Sequence, residues 1–370
     1  MIEEQQIITD LKDWKSIVKP YATPETKAAK KEVFKTFIPF GLILIAAFAV
    51  YEFNVWATLP LCFLAGLYLT RIFIIQHDCG HQSFFPDRKK NSRMGFVSSM
   101  FTWIPYQYWA RSHNYHHSHQ GQLDTRTIGD VTLLTVREYM ALSPWGKFKY
   151  KLYRSVFVMF LLGPIYYIFV HNRVPFIRFK GWGKERKALL VTNICLLLVF
   201  VLTGALLGLI GGDLWGGYIK LIVVYVPVLM SFGFTAVWFF YMQHQHDPNY
   251  KAWKEDWQYV MAAIKGSSYY KLPAVINFFT GNIGFHHIHH LAPKVPFYKL
   301  EKCSRENEIL QKHVTKITFL SSLKYAFYTL WDEDNYRMIR FKDLKKAEIR
   351  LKLKNDPFAP IVGRVKSSME

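Results

Sequence analysis

The sequence has no pair of cysteines spaced as CxxC; its four, Cys62, Cys79, Cys195 and Cys303, are scattered. This argues against a disulfide framework and against iron–sulfur or structural zinc sites, and it suits a reducing cytosolic face. No His-Pro-Gly-Gly haem motif and no dinucleotide fingerprint occurs. The first 35 residues lack the short apolar core and cleavage site of a secretory signal, so the start of the chain is expected to be retained. There is no repeat of fixed period, no long low-complexity linker and no nucleic-acid module. Acidic residues are few, 27 against 47 lysines and arginines, for a formal charge of +20 over 370 residues. The bases cluster beside apolar segments, at Lys27, Lys30, Lys31 and Lys35 and at Arg178, Lys180, Lys184, Arg186 and Lys187. There they would meet anionic lipid headgroups.

What the chain does have is apolar length, with 51% hydrophobic and 17% aromatic residues. The run from Phe37 to about Leu69 holds two short spans at roughly 20 residues per crossing, reversing near Glu52-Phe53-Asn54. A second pair, at about 188–211 and 216–243, turns at Gly211-Gly212-Asp213. Both tips lack Lys and Arg while the flanks are rich in them, which places both termini on the cytosolic side. Phe96–Trp109 and Val156–Val170, the latter broken by Gly163-Pro164, are near the lower limit for a span and are expected to be interfacial or re-entrant helices. Thr23-Pro24 reads as a helix cap and first turn. The expected fold is an all-α integral membrane protein, with four transmembrane helices in two hairpins under a cytosolic helical cap. Its segments are a cytosolic N-terminal part (1–35), a membrane domain (36–343) and a basic tail (344–370).

Histidines fall in clusters: His77-Asp-Cys-Gly-His81, His113-Asn-Tyr-His116-His117 and His286-His287-Ile-His289-His290. Residues at i and i+4 share a helix face, so His77 pairs with His81 and His113 with His117. His116 stands about 100° from His117 and suits a second metal or the far side of the first. Gly281 to Gly284, ahead of the third cluster, would allow a close backbone approach. His244, at the end of the last span, lies at the depth of the first cluster and makes a ninth candidate. His246 faces nearly the opposite side, His287 points elsewhere, and His171 and His313 carry no spacing signal. Eight or nine imidazoles exceed a four-coordinate zinc site, so two metals are implied. The HxxxH pair alone recurs by chance, and an interfacial role stays open for it. Asp78, Asp124 and Asn282 are candidates to orient ligands or hold a water. Trp56, Trp103, Tyr106, Tyr108 and Trp109 read as an aromatic belt or as walls of an acyl channel.

From His77 to His81, through Gly281-Asn-Ile-Gly-Phe-His-His-Ile-His-His290, to Leu330-Trp-Asp-Glu-Asp-Asn335, the chain resembles the integral-membrane fatty-acid desaturases, most of all bacterial acyl-lipid enzymes of the Δ5 type. The likeness covers about Phe73 to Asn335. It implies a di-iron centre at the cytosolic face, with His77, His81, His113, His116, His117, His286, His289 and His290 as iron ligands and His244 as the further one. It implies that O2 and two electrons from a separate donor, a ferredoxin or flavodoxin, are used to place a cis double bond in a phospholipid acyl chain of the bacterial cytoplasmic membrane. The family pattern often has Gly after the first box, where this chain has Gln82. Two rivals remain at this point. A sibling hydroxylase with the same irons would make an alcohol. A metal-handling protein would carry ionisable residues deep in its spans, which are nearly free of them here.

Overall fold

A computed structural model describes residues 2–126, 128–177 and 180–353. The chain opens with two short helices, α1 (Ile2–Asp10) and α2 (Trp14–Val18). The first hairpin follows as α3 (Thr26–Tyr51) and α4 (Thr58–Gly80), reversing through Glu52-Phe53-Asn54 as the charge-poor tip predicts. The expected cap at Thr23-Pro24 is displaced: the helix begins at Thr26, with Glu25 before it. Tertiary contacts set that start, because the Glu25 amide donates to the Tyr298 hydroxyl at 3.0 Å and its carboxylate meets Lys299 at 2.5 Å.

Helices α5 (Arg88–Thr102) and α6 (Tyr106–His119) divide the apolar stretch that ran from Phe96 to Trp109. Trp103 takes a left-handed conformation and Pro105 follows, so no continuous span forms. Gln76 of α4 pins the break, donating to the Ile104 carbonyl at 2.8 Å and accepting from Thr102 Oγ1 at 2.7 Å. Next come strand β1 (Leu134–Thr135), α7 (Val136–Ala141) and α8 (Pro144–Tyr153). The Gly163-Pro164 stretch is a short helix, α9 (Gly163–Tyr166), between two π-helical turns, and the whole run is bent 58° from α8.

The second hairpin comprises α10 (Gly183–Gly211) and α11 (Leu214–His244). Gly212 supplies the turn at φ 71, where a side chain would be strained. Among the described residues these two helices, with α3 and α4, are the four long and apolar enough to cross a membrane, or five if the bent pair counts as one span. Their outer faces carry exposed Phe34, Ile38, Leu42, Leu190, Leu197 and Leu202, an apolar girdle that water would not tolerate.

The remainder caps one end of the bundle: α12 (Tyr259–Ile264), β2 (Ser268–Lys271), α13 (Ala274–Phe279), α14 (His286–Leu291), α15 (Phe297–Glu306), α16 (Ile309–Lys312), β3 (Thr315–Thr318), α17 (Phe319–Tyr325), β4 (Leu330–Asp332), β5 (Arg337–Ile339) and α18 (Leu344–Leu353). Strand β4 pairs in parallel with β1, Leu134 opposite Leu330, and β2 pairs in parallel with β3. The N-terminal segment belongs to this body, since Ile7 and Leu11 are buried and Lys265 reaches Glu3 at 2.7 Å. The basic C-terminal segment starts as α18, with Ala347 buried; residues 354–370, like Arg178 of the basic run, lie outside the described residues.

Candidate metal centre

Three helix ends and one short helix converge beneath the cap. The last turn of α4 presents His77, and His81 follows one residue beyond it. The C-terminal half of α6 presents His113 and His117 on one face and His116 on another, α11 ends on His244, and α14 supplies His286, His289 and His290. The approach of α14 to α4 depends on Gly281 at φ 55, where a Cβ would meet Ile74 Cγ2 at 2.7 Å.

The structure brings all nine candidate histidines together. His77, His81, His113, His117 and His289 form one group with ligand nitrogens all within 4.8 Å of each other, and His116, His244 and His290 form a second. His286 adjoins the second, its Nε2 2.9 Å from that of His244 and 3.1 Å from that of His290. The groups touch where the rings of His117 and His290 stack at 4.1 Å. All nine side chains are buried.

Hydrogen bonding alone cannot account for this packing. His117 Nε2 lies 3.1 Å from His113 Nε2 and 3.0 Å from His289 Nε2, and His244 Nε2 lies 3.3 Å from His116 Nε2 and 2.9 Å from His286 Nε2. Each Nε2 of a neutral imidazole carries either one N–H or one lone pair, so a nitrogen with two such neighbours can make only one linear hydrogen bond. His81 Nε2 is buried with no hydrogen-bond partner among the described residues. Burial, the largest cause, holds His116 down to about 4 and pushes His81, His113, His117, His286, His289 and His290 well below the usual histidine range. These rings are therefore neutral at pH 7, the form that ligates a metal. The donor set fits borderline divalent cations.

The surroundings of the two groups differ. Asp78 Oδ1 lies 3.0 Å from His77 Nδ1, while its Oδ2 accepts the Phe297 amide at 2.6 Å. Trp109, one helical turn before His113, stacks on that ring at 4.6 Å. In the second group Asp130 Oδ2 is 3.9 Å from His116 Nδ1, and His244 Nδ1 is 3.2 Å from the Gln120 amide and 3.4 Å from the Gly266 carbonyl. Lys251 is buried on this side, with its ammonium pKa lowered by burial and its charge acting on His116.

Sequence reading missed Asp130, Gln120 and Lys251, which stand on loops without periodic signal. Trp109 had a signal, its i, i+4 relation to His113. Of the proposed orienting residues, Asp78 reaches a histidine, Asp124 instead accepts the Lys254 amide at 2.7 Å, and Asn282 lines a separate cavity. The aromatic belt is also corrected: Tyr106, Tyr108 and Trp109 are buried, and only Trp56, at the first hairpin tip, is widely exposed. His171 stacks on Tyr167, His313 bonds Asp10, and His246 meets the Pro248 carbonyl. His287 is buried on another face of α14.

A four-helix membrane body closed by a cap over paired histidine groups defines a membrane-bound metalloenzyme. The family model described as "Fatty acid desaturase" matches residues 54–321. A fatty acid desaturase of Bacillus subtilis (strain 168) is 40% identical over 94% of this chain and 96% of its own length. An sn-1 acyl-lipid omega-3 desaturase (ferredoxin) of Synechocystis is 28% identical over 72% of each chain. An acyl-lipid omega-3 desaturase (cytochrome b5) of the endoplasmic reticulum, from Arabidopsis thaliana, is 26% identical over 72% of this chain and 68% of its own. The chain belongs to the fatty acid desaturase family and is a lipid desaturase, an oxidoreductase with a metal cofactor.

Proposed function

We propose that this desaturase places a cis double bond, at the Δ5 position, in a membrane phospholipid acyl chain at a di-iron centre. The observation that carries the reading is the convergence of nine buried imidazole rings in two adjoining groups. His77, His81, His113, His117 and His289 would hold one iron; His116, His244, His286 and His290 would hold the other. When bound, the irons supply the O2-dependent oxidation of an unactivated methylene pair, which no side-chain base can perform.

The protein's own part is to hold the donors ready. Asp78 accepts the Nδ1–H of His77, which leaves Nε2 free to ligate and fixes the ring by a second-layer hydrogen bond. Trp109 braces His113 face to face, and burial keeps bulk water from the reacting chain. Orientation of the acyl chain over the centre does the rest.

The enzyme spans the bacterial cytoplasmic membrane four times, with its cap in the cytosol. Charge-poor hairpin tips and basic flanks support that orientation. A small acidic ferredoxin or flavodoxin suits the basic cap as donor, and raising salt should slow turnover with it. The decisive test is expression with an active donor in a host of saturated lipids, with double bonds located by mass spectrometry. New cis alkenes are expected; unchanged lipids, or hydroxylated ones, would overturn the reading.

A further inference from the structure

Six residues before His77, Arg71 is buried within α4, about 9 Å along the helix at 1.5 Å per residue. It pairs with Glu32, donates to Thr36 Oγ1 at 3.1 Å and meets the Phe278 carbonyl, so its charge and donors are already engaged. It contributes to the lining of a cavity of about 450 Å³ among α3, α4, α13 and α15. Two further cations line the cavity, Lys35 and Arg305, and both are loosely held. Lys35 Nζ is 3.4 Å from the Glu32 carboxylate it shares with Arg71, and Arg305 Nε is 3.7 Å from Glu301. Against two carboxylates the cavity thus carries three cations, two of them accessible.

The neutral lining is underused. Asn277 Oδ1 is buried without a hydrogen-bond partner among the described residues, an acceptor awaiting a donor. Asn282 adopts φ 56, a strained conformation of the kind that collects at ligand sites, and its side chain lines the same space. The cavity also adjoins the metal centre: Phe285 in its wall immediately precedes His286, and Phe297 donates its amide to Asp78.

We propose that this cavity is the headgroup subsite for the lipid substrate. It takes the phosphate of an anionic phosphoglycerolipid between Lys35 and Arg305, and a headgroup hydroxyl donates to Asn277 Oδ1, with Asn282 beside it. A lipid anchored here presents its carboxyl-proximal carbons to the centre, so the subsite also fixes which bond is offered. The assignment rests on the proposed phospholipid substrate.

The test uses the iron-loaded full chain in detergent, with phosphatidylglycerol and a phosphate-free monoglucosyldiacylglycerol as probes and retained lipid read by native mass spectrometry. Wild type is expected to retain phosphatidylglycerol about tenfold more, and Lys35→Gln/Arg305→Gln to bring the two within about twofold, iron content unchanged. No preference in wild type, or an equal preference in the variant, overturns the proposal. Should the double variant fail to keep iron, Asn282→Gly takes its place, since it keeps the left-handed backbone and removes the carboxamide. It is expected to lose about threefold in phosphatidylglycerol retention, and no loss counts against the site. Excess inorganic phosphate should leave the lipid in place; full displacement would make this a site for free phosphate and overturn the headgroup assignment. Binding needs no turnover, so the two readings fail separately. A protein that binds selectively but leaves lipids saturated counts against the proposed reaction, and one that desaturates without headgroup preference counts against the cavity.

Discussion

The two histidine groups are built from the same residue type on shared helices, yet they are held differently. The five-membered group has a carboxylate bonded directly to one ring, Asp78 on His77, and an indole stacked on another, Trp109 on His113. The second group has its carboxylate, Asp130, at 3.9 Å and a buried cation, Lys251, nearby. A contact at 3.9 Å orients through charge and not through a hydrogen bond. The comparison teaches that one group is locked mechanically while the other sits in a field it shares with an ammonium.

The largest effect should come where both groups meet. His117→Ala removes a ring that belongs to the first group and stacks on His290 of the second, and it is expected to abolish desaturation and lower bound iron, as is His289→Ala. Losses below about a hundredfold, the upper range for outer partners alone, would break the assignment. His171→Ala is the contrast, and activity and iron should both stay at the wild-type level. Next in size, Asp78→Ala should cost about 10–100-fold in activity or metal affinity, and Asp130→Ala only a few-fold. Equal losses would erase the difference between the groups.

Acid should empty the centre as well. His116, held down to about 4 by burial, is neutral in the folded state and charges near 6.5 when unfolded. Its folded pKa is depressed, so the stability tied to its neutral form is complete above pH 6.5 and is lost as pH falls towards about 4. Burial also pushes His81, His113, His117 and His289 of the first group, and His286 and His290 of the second, well below the usual histidine range. Iron retained after dialysis should therefore hold above about pH 6.5 and fall as the pH drops towards about 4. Full retention at about pH 4 would contradict that dependence.

The spans and the histidine clusters were legible because their signals are local. A charge-free run of some 20 residues and an i, i+4 pair are read within one helix. Even the rotation of His116 away from His117 follows from helical period, and the structure puts it in the other group. The helical cap was expected as a whole, but its short strands were not legible. Strand β1 has two residues and pairs with β4 almost two hundred positions later, too short for alternation to register. Apolar character also does not distinguish lipid from core, which is why Tyr106, Tyr108 and Trp109 read as a belt and proved to be interior. Asp130 and Lys251 act across space from loops, where spacing carries no information.

The smallest expected effect concerns the turn that sets His81 against the first group. Gln82 follows at φ 56, where the family pattern often has glycine, and its amide donates to the Cys79 carbonyl at 2.9 Å and the Tyr106 hydroxyl at 3.1 Å. Two hydrogen bonds worth about 1 kcal/mol each oppose a left-handed strain of about 1–2 kcal/mol. Gln82→Gly removes both the bonds and the strain, so thermal stability should change by no more than about 1 kcal/mol, with iron retained. Gln82→Ala removes the bonds and keeps the strain, and it should be destabilised by about 1–3 kcal/mol in a denaturation series. If the glycine variant instead loses iron, the side chain and not the turn positions His81, and the first group is less rigid than its hydrogen bonds imply.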